Sequence, residues 1–314
     1  WFEEAAAQMA DANDADAVFA DAVSADGLAE DGKWKPKNPK WLPLESNPKI
    51  LNTFFQRVGV LGDFAFTDVL GLDDESLSFM PQPVVAVCLL FPSKPVRQPR
   101  LQALAGQESL RKAPSSTFYL IQHKEFGNAC GTIAAVHAIG NLTREGQLQL
   151  SPGSPIESFL AGAAGVSPDA LGRELANATA LHEASEQAAN SRDAQTRTPE
   201  RDDKVDGHFV VFVQVQGRLV ELDGCMGFPI DHGETSPGAF LGATARLIRE
   251  EFMARAPGNP NFSVMALAPT VNESVDAARS VETLMAMGFN EVQAREALQA
   301  AGGNVDIAVG ILCG

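Results

Sequence analysis

The sequence is short of several things, and each shortage narrows the field. It has one tyrosine among 314 residues and four cysteines, at 88, 130, 225 and 313. No two of these form a Cys-x-x-Cys pair, and none is followed by histidines at ligand spacing, which argues against a structural zinc module. Four scattered cysteines in so long a chain read as free thiols of a reducing compartment, so the expected location is cytoplasmic, with the nucleus second. Basic residues are scarce: 24 Lys and Arg face 40 Asp and Glu, for a formal net charge of −16. A surface of that sign repels nucleic acid and anionic membranes and attracts basic partners. Long apolar runs are missing as well. The longest, "VVAVCLLF" (84–91), falls far short of the roughly 20 residues that span a bilayer. The first residues carry no basic segment followed by an apolar one, so they do not read as a secretory signal.

What is present suffices for one sizeable core and a smaller unit, with 45% hydrophobic residues. Residues 1–40 are Ala/Asp-rich and end in "KWKPKNPK", which predicts a flexible acidic tail. From 41 the pattern turns globular. "NPKILNTFFQRVGV" places apolar residues at helical spacing. "PVVAVCLLFP" and "SSTFYLIQ" read as strands, and 156–190 as mostly helical. The polar stretch 190–207 reads as a long exposed loop, a common form of functional lid. A hairpin follows at "HFVVFVQVQGRLVELDG", then a helix over 240–254 and a closing strand at "FSVMALAP". Residues 41–270 form the expected main domain and 271–279 a linker. Residues 280–314 show three short helical patterns, with Asn290 and Asn304 as N-caps.

The run "GNACGTIAAVHAIGN" (127–141) holds both a cysteine and a histidine. With Asn128 as the expected N-cap, Cys130 falls in the first turn of a helix, where the dipole and the unpaired N–H groups lower a thiol pKa. An inert buried cysteine fits this segment equally well. His137 is two turns further on, roughly 10 Å along the axis, too far to serve Cys130. It reads as a packed helix histidine, and a base must come from elsewhere.

The hairpin supplies one. A two-residue turn at Gln216–Gly217 makes 215 face 218 and 208 face 225. Asp223 then lies diagonally from His208 on the same face, within side-chain reach. This presents His208 with a carboxylate able to fix its tautomer, although a solvated His and Asp at strand ends fit the spacing too. The same register puts Cys225 opposite His208 as a rival nucleophile, one without a helix N-terminus.

Four blocks, "WLPLESNPKILNTFFQRVGV" (41–60), "MPQPVVAVCLLFP" (80–92), "NACGTIAAVHAIGN" (128–141) and "HFVVFVQVQGRLVELDG…FPIDHG" (208–233), together resemble the ubiquitin C-terminal hydrolase family of cysteine peptidases. The resemblance covers 41–269 and implies a papain-like α/β (α+β) fold. Such a fold has a central antiparallel sheet flanked by helices and a crossover loop, at about 181–206, over the active site. It implies Cys130 as nucleophile, His208 as general base and acid, and Asp223 as the group orienting His208. Gln122 is the implied oxyanion donor at the end of the strand "FYLIQ"; it stands two positions further from the nucleophile than the family's glutamine does. Losing one such donor costs about 2.7–4 kcal/mol in the barrier of comparable enzymes. The C-terminal segment resembles a ubiquitin-associated domain, with Met287, Gly288 and Phe289 as its Met-Gly-Phe loop and Leu312, beside Ile311, on its third helix. The implied activity is hydrolysis at the C-terminal glycine of ubiquitin, favouring small or flexible leaving groups. The implied partners are ubiquitin adducts and, through the C-terminal domain, polyubiquitin. A monomer without metal or organic cofactor is expected. A non-catalytic ubiquitin-binding adaptor and a general cysteine peptidase are the alternative readings.

Overall fold

The computed structural model describes residues 34–104, 107, 110, 112–270, 273–301 and 304–313. The expected acidic tail lies, over residues 1–33, outside the described residues. Its last part departs from expectation. Asn38 is buried and donates to Ala176 O, and the Lys37 N–H donates to the Asn177 side chain. The chain divides into two compact units, Trp1–Pro269 and Thr270–Gly314.

The larger unit opens with α1 (Pro48–Val58), β1 (Val60–Leu61), β2 (Phe64–Asp68), α2 (Asp74–Ser78), β3 (Ala86–Pro92) and α3 (Ser93–Leu104). It continues through α4 (Cys130–Arg144), β4 (Gln149–Leu150), α5 (Pro155–Gly162), α6 (Pro168–Asn177) and α7 (Thr179–Ala189). It closes with β5 (Gly207–Val215), β6 (Arg218–Leu222), β7 (Ile230–Glu234), α8 (Pro237–Leu247), a π-turn Ile248–Phe252 and β8 (Ser263–Pro269). Six of the strands form one antiparallel sheet in the order β2-β8-β3-β5-β6-β7. The expected closing strand, β8, therefore lies inside the sheet.

Both faces of this sheet are covered, which explains why "VCLLFP" and "HFVVFV" are almost continuously apolar. Phe209, Val211 and Val213 of β5 join the core built on α1, α4 and α7. Val210 and Phe212, on the other face, join the core with Phe240 of α8 and Phe252 of the π-turn. Helix α4 is buried from Gly131 to Leu142, as a largely apolar helix must be, and its few buried polar side chains find partners within the fold.

The hairpin turns at Gln216 (φ 48°) and Gly217 (φ 75°) and pairs Val215 with Arg218. Two positive φ values in a two-residue loop follow the right-handed twist of the strands. This fixes an even register, and the ladder runs to Val211–Leu222 before it stops.

The segment read as the strand "SSTFYLIQ" is not one. It runs extended along α4, and the helix's polar side chains take its backbone groups. Asn141 Oδ1 accepts from Phe118 N–H and its Nδ2 donates to Phe118 O, both at 2.8 Å. His137 Nε2 lies 3.1 Å from Leu120 N. His137 and Asn141 are one turn apart, so a single helix face supplies both partners. The buried backbone is satisfied without a neighbouring strand.

Full burial holds the His137 pKa down, from 6.5 to about 4. The unfolded chain therefore takes up this proton first as pH falls. The associated stability is complete above about pH 6.5 and is lost toward pH 4, in total on the order of 3 kcal/mol. Urea unfolding at pH 7 and pH 4.5 should show this slope in the parent chain and a flatter one in His137→Gln. Equal slopes would place the acid sensitivity on other groups.

The smaller unit consists of α9 (Glu273–Ala286), α10 (Glu291–Ala300) and α11 (Val305–Cys313). The expected linker is thus helical from Glu273 onward. Val281, Leu284, Ala294, Leu298 and Ala308 form its core. Asn290 caps α10 in a reciprocal capping box with Gln293, and the Asn304 side chain accepts from Ile307 N–H.

Candidate active site

Cys130 is the first residue of α4 and is half-buried. The residue in the N-cap position is Ala129, not Asn128, and it makes no side-chain cap. Asn128 instead donates to Asp203 O of the 190–206 loop at 3.0 Å. The uncapped first turn directs the positive end of the helix dipole at the thiol. Burial pushes the Cys130 pKa up. The hydrogen bond and positive charge of His208, with the Phe209 N–H, outweigh that and hold it below its ordinary value. Gly131 follows without a Cβ, which would sit 3.1 Å from the Phe209 ring. Its absence lets the helix start close against β5.

His208 is the second residue of β5, and its Nε2 lies 2.8 Å from Asp223 Oδ1. Asp223 follows the last residue of β6, just past the end of the ladder. Even register keeps the two on one face, and both are buried. With Nε2 engaged by Asp223, Nδ1 is the nitrogen left for the hydrogen bond with Cys130. Burial lowers the His208 pKa, but Asp223 and Cys130 more than reverse this and bring it to about 10. Asp223 is held down near 2 by the His208 charge and hydrogen bond, which together with Arg97 overcome burial. Tyr119 Oη lies 2.5 Å from the backbone oxygens of both Asp223 and Met226, which share its single hydrogen. This anchors the turn that presents the carboxylate, and nothing in the sequence singled Tyr119 out beyond its being the only tyrosine.

Extending the hairpin register put Cys225 opposite His208. Pairing ends before that point, and Cys225 sits in the turn after β6. There its N–H donates to Asp223 Oδ1 at 2.9 Å.

Gln122 is half-buried beside Gly224, whose carbonyl accepts its backbone N–H at 2.7 Å. Its side-chain Nε2 donates to Gly127 O at 3.2 Å, and its Oε1 is buried without a partner among the described residues. The additional length before Cys130 is taken up by a 3₁₀ turn, Lys124–Phe126, and by Gly127 at φ 72°.

Cys130 lies in a groove of about 430 Å³, walled by residues 43–46, by Thr196, Thr198 and Val205, and by residues 260–263. The loop that forms the second wall spans 190–206. The expected lower limit near 181 falls inside α7. The loop is tied down at several points. Glu45 accepts from the N–H groups of Gln195 and Thr196, Arg201 chelates Glu186, and Lys40 pairs with Asp202 at 2.6 Å.

In the smaller unit Gly288 takes φ 101°, so the Met287–Phe289 loop needs its glycine. Met287 and Ile311 are exposed, whereas Phe289 and Leu312 pack against the unit's own core.

A model of ubiquitin carboxyl-terminal hydrolase, family 1, matches residues 41–254, and a UBA/TS-N domain model matches 278–312. Ubiquitin carboxyl-terminal hydrolase isozyme L1 of Homo sapiens is 38% identical over 229 residues, covering 72% of this chain and 96% of that protein. Ubiquitin carboxyl-terminal hydrolase 3 of Arabidopsis thaliana is 37% identical over 231 residues, 73% of this chain and 94% of its own. Among solved structures, the Trichinella spiralis UCH37 catalytic domain bound to ubiquitin vinyl methyl ester superposes with a TM-score of 0.58 at 19% identity, covering 74% of this chain and 96% of that one. A cysteine electrostatically coupled to a carboxylate-backed histidine thus stands in a chain that belongs to the ubiquitin carboxyl-terminal hydrolase family of cysteine peptidases and carries a C-terminal UBA domain.

Proposed function

We propose that this chain hydrolyses bonds at the C-terminal glycine of ubiquitin, with Cys130 as nucleophile. The observation that carries the reading is the line from Cys130, which faces the groove, through His208 to Asp223 buried behind it. His208 Nδ1 takes the thiol proton, the thiolate attacks the carbonyl, and His208 returns the proton to the leaving group. Water, deprotonated by His208, then clears the thioester. Asp223 holds the ring orientation and balances the imidazolium. The Cys130 N–H and the Gln122 side chain hold the oxyanion. Nε2 carries two hydrogens, so one donor remains for substrate while the other keeps Gly127.

The tethered 190–206 loop walls the groove and restricts what can leave through it, which favours short or flexible adducts. The C-terminal unit takes ubiquitin chains on a surface that includes Met287 and Ile311. The chain acts as a monomer in the cytoplasm or nucleus. Among the described residues no helix is long and apolar enough to cross a membrane.

The test is ubiquitin vinyl methyl ester, an electrophile at the ubiquitin C-terminus. One equivalent should couple to the full chain, and peptide mapping should find the label on Cys130. Label on Cys225 would reassign the nucleophile. A chain that binds ubiquitin without coupling would be an adaptor.

A further inference from the structure

The thiol of Cys225 has no part in the chemistry above, yet it lies at the heart of the site. One donor atom each from His208, Asp223 and Cys225 lie within 4.8 Å of one another. Imidazole nitrogen, carboxylate oxygen and thiolate sulfur form a donor set suited to a borderline-soft divalent ion, zinc above all. Tetrahedral zinc holds such donors roughly 3.3–3.7 Å apart. The His208–Asp223 contact, at 2.8 Å, must open slightly, and the Cys225 thiol must move inward. Cys225 is half-buried and hangs from a turn, so torsion about its own side chain can achieve this.

We propose that His208, Asp223 and Cys225 form a zinc-binding site that switches the enzyme off reversibly. The ion takes His208 through the nitrogen that otherwise faces Asp223, leaving the other nitrogen protonated and directed at Cys130. A metal-bound imidazole of that kind cannot accept the Cys130 proton. The fourth position stays open to water. The ion displaces the Nε2 proton of His208 and takes over its role as counter-charge to Asp223, with the Cys225 thiol able to ionise beside it and Arg97 as a second cation facing Asp223. The sequence spacing hides this set, because 208, 223 and 225 follow no zinc-module pattern. Only the hairpin brings them together.

Binding is a property of the folded chain and does not rest on the hydrolytic reading; inhibition does. Two measurements on the full chain separate them. The first is cobalt(II) added as a zinc probe without substrate. The parent should give the intense thiolate-to-cobalt charge-transfer band of a four-coordinate site at one equivalent. Cys225→Ser should lose the band, and zinc competition against a chromophoric chelator should show affinity weakened by about tenfold or more, as removal of a metal-orienting partner already costs 10- to 100-fold. Cys225→Ala should behave alike, and Cys313→Ser should match the parent. The second measurement is hydrolysis of a ubiquitin adduct. Metal-free Cys225→Ser should turn over as the parent does, and zinc for half-inhibition should rise by the same factor. Unchanged cobalt spectra and unchanged zinc affinity in both Cys225 variants would overturn the site. An altered spectrum with no hydrolysis in any variant would leave the site standing and sink the hydrolytic reading.

Discussion

Cys130→Ala is expected to cut hydrolysis of a fluorogenic ubiquitin adduct by about 10⁶-fold, the loss seen when the nucleophile of a comparable triad is removed. Asp223→Asn should fall by about 10²- to 10⁴-fold, the upper end being the serine-triad value. The reason for the gap is where the charge separation occurs. In a serine triad the ion pair forms only as the reaction proceeds, so the carboxylate contributes wholly to the barrier. Here His208 and Cys130 already shift each other toward imidazolium and thiolate in the resting site, so part of Asp223's effect is present in the ground state and cancels. The two variants also differ in their dependence on pH. In the parent, thiolate persists below the ordinary thiol range, so alkylation of Cys130 should rise less steeply between about pH 6 and 8 than that of an ordinary thiol. In Asp223→Asn the charged histidine loses its buried counter-ion, its pKa falls, and alkylation should climb more steeply with pH. The measurements are single-turnover hydrolysis and iodoacetamide labelling across that range. Cys130→Ala within tenfold of the parent would remove the nucleophile assignment. Asp223→Asn at parental rates would mean that other contacts orient His208.

How much of this was legible depended on whether a feature is local or assembled. The hairpin was readable because its parts are local: two apolar runs, a turn dipeptide ending in glycine, and a period of two. Those elements alone bring His208 and Asp223 to one face. The reading failed one step beyond, at Cys225, because register can be extrapolated only while the strands remain paired. The "FYLIQ" segment misled for a different reason. Its composition suits a strand, but its hydrogen bonds go to Asn141 and His137 of a helix that follows it in sequence, and side-chain partners leave no periodic trace. The same holds for the first residues of α4. Asn128 has the right chemistry for a cap, yet Asp203, 75 positions away, takes its side chain. Resemblance supplied what spacing could not, namely a preference for a reactive over an inert Cys130 and an expected function for the long loop. Tyr119 escaped both routes, since a lone tyrosine has no pattern and its role exists only where the extended segment passes the 223–226 turn.

Arg100→Met should destabilise the fold by about 3–5 kcal/mol, through a group that the sequence did not mark. Glu221 of β6 is completely buried, and Arg100 of α3 grips it with both terminal guanidinium nitrogens, at 2.6 and 2.5 Å. His232 adds a contact at 2.8 Å, and the guanidinium lies 3.9 Å above the Phe252 ring. Burial pushes the Glu221 pKa up, but Arg100 and His232 more than offset it and hold the carboxyl below its ordinary range. A carboxylate with a depressed pKa contributes stability above its unfolded pKa, and this fades as pH falls through the folded value. Removing Arg100 reverses the balance. A buried carboxylate facing only His232 must either remain charged at high cost or take up a proton, so the variant's stability deficit should be larger at pH 8 than at pH 5. Replacing both partners, as Arg100→Met with Glu221→Leu, should recover much of the loss, because the cost comes from the orphaned charge rather than from the missing pair. Glu221 is two residues from Asp223, so alternation puts both carboxylates on one face of the sheet. The single variant should therefore lose turnover as well as stability, and the double variant should regain both. Urea midpoints at the two pH values and turnover at low temperature give the answer. A loss below about 1 kcal/mol in Arg100→Met would mean that His232 alone compensates Glu221.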